Sequence, residues 1–170
     1  LVGSVRMCIR DRATCTCKRC GKMFERKTRW WNDQKAREWE EWAAKNITLC
    51  PECRYDDYVA GAAKLAREAS AIGLPALQGS AKQITWAEYI RAELLADAEQ
   101  YLKDSWDTTR ELDDAAIKAR NEEVLHALGQ ILVQIRHEPR AAWWINHRKG
   151  DGAQLLRSIY RERHPEEMEL

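Results

Sequence analysis

Two short turns, Cys17-Lys-Arg-Cys20 and Cys50-Pro-Glu-Cys53, narrow the folds open to this chain more than any other residues. A Cys-x-x-Cys turn puts both of its sulfurs on one side of a tight loop. Two such turns can complete a tetrahedral four-sulfur site only if they meet in space, so residues 21–49 must fold back between them. Gly21 follows the first pair, where the backbone has to turn sharply. Pro51 stiffens the second. The pattern predicts one zinc ion held by Cys17, Cys20, Cys50 and Cys53 in a ribbon-like module. A closed shell of four thiolates leaves no position for a reactive water, so the zinc is expected to be structural. A thioredoxin-like redox role fits two separated pairs less well than a shared metal does. Cys15 lies off the ligand spacing and reads as a free thiol or a reserve ligand.

No run of roughly 18 uncharged apolar residues is present, and the N-terminal residues do not form a secretory signal. The expectation is a soluble protein with no membrane contact, in a reducing cytoplasm where cysteines serve metals and not disulfides.

The net charge is +1, but it is unevenly spread: residues 1–54 carry 13 Lys+Arg against 7 Asp+Glu, and residues 55–139 carry 9 against 15. Any contact with nucleic acid belongs in the basic first part, because the acidic middle repels phosphate. Within it lie Lys18, Arg19, Lys22, Arg26, Lys27 and Arg29, close to Phe24, Trp30 and Trp31. Cations that follow a phosphate backbone, beside rings that stack on bases, suit single-stranded nucleic acid. Lys18, Arg19, Lys22, Arg26, Lys27, Arg29 and Trp30 are therefore the candidate contact residues. The competing reading is a solvated ribbon surface whose cations balance the negative four-thiolate site, with Trp30 or Trp31 packed under the zinc; Trp39 and Trp42 are expected in the core.

Residues 1–12 are set aside. Met7-Cys8-Ile9-Arg10-Asp11-Arg12 resembles a translated sequencing-library adapter, which makes this a non-native segment. A zinc-ribbon module with a trailing helix is expected over 13–72. Its parts are a cysteine turn followed by a short hairpin, an inserted helix over 33–45 capped by Asn32, a strand-like Ile47-Thr48-Leu49, and a helix over 56–72. Gly73, Pro75 and Gly79 mark a linker at 73–79. A helical domain follows over 80–164. Ser80-Ala-Lys-Gln83 opens a long helix as a capping box, and Thr108-Thr-Arg-Glu111 reads as a second one. Shorter helices follow Pro139 and occupy about 152–163, the last with Asp151 as N-cap. Residues 165–170 form an acidic tail. The fold class is mainly α: an N-terminal four-cysteine zinc ribbon with an inserted helix, then a small helical bundle.

No catalytic constellation stands out. His126, His137, His147 and His164 lack two-His metal spacing, and no Gly-rich phosphate loop is present. The chain is read as nonenzymatic.

Cys17-Lys-Arg-Cys-Gly-Lys-Met-Phe24 through Cys53, Leu77 to Arg91, and Ala142-Trp-Trp-Ile-Asn-His-Arg148 together resemble uncharacterised zinc-ribbon proteins of bacterial phages and mobile elements. The resemblance spans most of residues 14–160. It implies an accessory protein in a bacterial cytoplasm and brings no activity with it. The leading expectation is a zinc-ribbon accessory protein that binds nucleic acid, with a protein partner docked on its helical domain. The alternative is a protein–protein adaptor or an inhibitor of a host enzyme, in which zinc only holds the fold.

Overall fold

The computed structural model describes residues 9–30 and 32–165. Two strands and six helices follow one another in chain order. Strand β1 (Ile9–Thr16) pairs antiparallel with β2 (Met23–Trp30). Helices α1 (Asp33–Asn46), α2 (Pro51–Ala71), α3 (Ala81–Arg110), α4 (Ala115–Arg136), α5 (Ala141–Asn146) and α6 (Gly152–Arg163) complete the chain. The molecule is mainly helical, with its small sheet and its four-cysteine cluster near the N-terminus. It divides into two compact units, Leu1–Ala60 and Gly61–Leu170, and the division falls inside α2.

In the first unit the cysteine turn does not precede the hairpin. It is the hairpin's own loop, between Thr16 and Met23. Cys17 N–H donates to Lys22 O at 2.9 Å and Gly21 N–H to Cys17 O at 2.9 Å, with Gly21 at a φ of 72° that favours glycine. Ile9 to Arg12, set aside above, form the first half of β1 and pair with Trp30 to Lys27. Side chains alternate across a strand. Ala13 and Cys15 therefore face inward, where Ala43 of α1 joins them and Phe24, Trp39 and Ile47 pack around. Helix α1 begins where its cap predicts: the Asn32 side chain accepts from Lys35 N–H at 2.8 Å. Trp42, expected in the core, is 55% exposed, whereas Trp39 is partly buried. The two sit three residues apart, and only Trp39's side of the helix reaches the hairpin. Ile47 to Leu49 form no strand.

Helix α2 starts five residues earlier than expected, at Pro51, a residue suited to the first helical position. In the second unit Ser80 and Gln83 form the predicted capping box of α3, each side chain bonding the other's backbone N–H. The second predicted box does not form. Thr108, Thr109 and Arg110 are still helical, and Asp114 caps α4, accepting from Ala116 and Ile117 N–H. Asp151 caps α6 as expected, accepting from Gln154 N–H at 2.7 Å. Residues 73–79 belong to the second unit: Leu74 and Leu77 are buried in its core, and Gln78 bridges to Arg140. Leu94, Ala98, Leu128, Ile131, Ile135, Trp144 and Leu156 form that core. At each fully buried aliphatic side chain, removal from water favours the fold by about 1.5–3 kcal/mol.

Candidate metal centre

The first Cys-x-x-Cys turn, in the hairpin loop, and the second, at the start of α2, come together. The thiol sulfurs of Cys17, Cys20, Cys50 and Cys53 all lie within 4.8 Å of one another. Cys20 Sγ and Cys50 Sγ, from different turns, are 3.8 Å apart. A thiolate tetrahedron with metal–sulfur bonds of about 2.3 Å has edges of ~3.8 Å, so this spacing fits an ion at the centre. Cys17, Cys50 and Cys53 are buried, and Cys20 faces solvent.

Backbone geometry prepares the sulfurs. Cys50 precedes Pro51 at the helix start, and Cys53 N–H points at Cys50 Sγ at 3.5 Å. Backbone N–H groups of Cys50 and Cys20 hold the Cys17 thiol down to about 6, so it is a thiolate at neutral pH. The Cys50 side chain and burial push the Cys53 thiol up. Crowded sulfurs cannot all ionise alone, whereas a divalent cation at their centre removes that penalty. Cys15 is not part of this group. It is buried with Ala13 and Ala43, and its thiol points to Ala43 O at 3.6 Å.

Two of the predicted nucleic-acid contacts also fasten the turns to each other. The Arg19 guanidinium pairs with Asp57 and donates to Cys53 O at 3.3 Å. Lys22 Nζ pairs with Glu52 at 2.9 Å. Lys18 N–H donates to Thr48 O at 2.8 Å, a third tie across the site, while its side chain stays exposed. The acids were legible in the sequence: Glu52 lies inside the second cysteine turn, and Asp57 lies four residues beyond it.

The remaining basic residues divide by strand alternation. Lys27 and Arg29 project from the outer, exposed face of β2, and their register partners on β1 are Arg12 and Arg10. Arg12 reaches Glu25 on that face at 3.6 Å. Arg26 lies opposite Ala13 on the other face and is partly buried. The six expected cations therefore do not make one patch. The backbone of Trp30 ends β2, its side chain lies outside the described residues, and so do Trp31, Cys8 and the tail beyond 165.

Among the described residues the four cysteines are the one group of three or more metal-donor side chains brought together. Among those residues no helix is long and apolar enough to cross a membrane. Compared with protein-family models, curated proteins and solved structures, the chain matches none, so its own geometry carries the functional reading.

Proposed function

We propose that the first unit is a zinc-stabilised nucleic-acid-binding module and that the chain is a nonenzymatic accessory protein of a bacterial phage or mobile element, working in the cytoplasm. Zinc is the ion that four thiolates at this spacing suit best. With its shell complete, it orders the hairpin and does not take part in a reaction. The observation that carries the reading is the outer hairpin face. Lys27 and Arg29 stand two residues apart on it, exposed and without an acidic partner among the described residues. Lys18 adds a cation at the loop. Alternate residues of a strand lie about 6.6–6.8 Å apart, a spacing on which a single strand's phosphates can be followed. Arg19 and Lys22 serve the metal centre, and their loss would weaken binding only by loosening the loop.

Fluorescence titration with a labelled single-stranded oligonucleotide tests this. Each lost phosphate contact lowers the salt dependence of log K by about 0.7, so K27A/R29A should flatten the slope by roughly 1.4 while zinc content stays unchanged. An absence of binding at low salt would favour the adaptor or inhibitor reading. That reading has its own support in the exposed acids Glu93, Asp97, Asp104 and Asp107 of α3, which could face a basic partner.

A further inference from the structure

We propose that the cleft between α3 and α4 binds a small uncharged molecule with hydrogen-bond donors and acceptors on one edge and an apolar opposite edge. The cleft is open to solvent on one side and has a volume of about 410 Å³, within the range of small-molecule sites. Val124, Leu125 and Leu128 of α4 form its apolar wall. Ser105 and Thr109 of α3, with Asn121 of α4, supply hydroxyl and amide groups.

Thr109 is the decisive residue. It is only 4% exposed, yet its hydroxyl makes no hydrogen bond among the described residues. The neighbouring Thr108 shows the ordinary solution, its hydroxyl donating to Asp104 O at 2.9 Å. Ser105 and Asn121 are half-buried, and their side chains also have no protein partner among the described residues. An enclosed polar group costs free energy unless something supplies its partner; Thr109 is such a group, and half-buried Ser105 and Asn121 line the same cleft.

Charge narrows the ligand. No cation lines the cleft, and Asp104 contributes a carboxylate, one oxygen of which is already held by Gln100 Nε2 at 2.7 Å. An anionic ligand would meet that carboxylate with nothing to balance it. Arg157 lies over the Tyr101 ring at 5.3 Å, outside the lining.

Benzamide and benzoate share size and ring and differ in charge, which makes them the probes. In protein NMR of the full chain, benzamide should shift the amide resonances of Ser105, Thr109 and Asn121 saturably, and benzoate should not. T109V should weaken benzamide about fivefold, the worth of one neutral hydrogen bond, and leave the thermal midpoint unchanged or higher. Shifts absent with benzamide, equal with benzoate, or unaltered in T109V would overturn the proposal. So would a lowered midpoint in T109V, which would show that the hydroxyl is bonded within the protein.

Discussion

At Cys17 and Cys53 one site moves two thiols in opposite directions, the first by backbone N–H groups and the second by the Cys50 side chain and burial. Cys17, held near 6 by backbone N–H groups, carries no proton at pH 7, while Cys53 keeps its own. A metal must displace whatever protons remain, so affinity falls as pH falls. Below about 6, Cys17 also protonates and one further proton competes. The fall in log affinity per pH unit should therefore steepen there by about one, measured by competition with a chromophoric chelator. C17S should abolish the break. A different residue-scale device holds residues 73–79 in the second unit. Glu88 and Arg91, both nearly fully buried, pair at 2.6 Å, and Arg91 also donates to Pro75 O at 2.7 Å. Removing one partner strands the other charge in the interior. E88A should cost about 3–5 kcal/mol in urea denaturation, whereas replacing both residues with apolar side chains of similar volume should cost far less.

Among the elements, α6 approaches α3 most closely at Gly152. A Cβ there would overlap the Leu94 carbonyl oxygen and the Ala98 amide nitrogen, both of them backbone atoms that cannot swing aside. G152A should therefore destabilise the second unit by about 1–3 kcal/mol or more by thermal unfolding, although alanine is the better helix former. G129A is the control, because a Cβ at Gly129 in α4 meets nothing. Element starts were the most legible part of the chain. Asn32, Ser80 with Gln83, and Asp151 act within one turn of themselves, so the signal and the structure coincide. Thr108 to Glu111 had the same local form and failed, because the apolar stripe of α3 continues through Leu102 to buried Thr109 and keeps the helix wound past the box. Packing outweighed a cap worth about 1 kcal/mol.

For the molecule as a whole, two units stabilised by different means should part under a chelator. The first has a small core of Ala13, Cys15 and Ala43, and its loop is ordered around the four sulfurs. The second buries a continuous apolar core from Ala69 to Leu156. Stripping the proposed zinc with a strong chelator should melt β1, β2 and α1 and leave most of the helical circular dichroism intact. Hydrogen exchange should show protection lost over residues 9–46 and retained over 81–163. A single cooperative loss of all helix would contradict this division.

The four clustered cysteines, the helical class and three of the helix caps were written in the sequence, because each depends on residue type at a fixed short spacing. Only the tertiary structure decided which cations remain free. Arg19 and Lys22 look the same as Lys27 and Arg29 along the chain, but the meeting of the two cysteine turns sets Asp57 and Glu52 against the first pair alone. Strand alternation then sends Arg26 to the opposite face from Lys27 and Arg29. Partners about thirty residues or more apart are joined by the closing of the site, and no local pattern encodes that encounter.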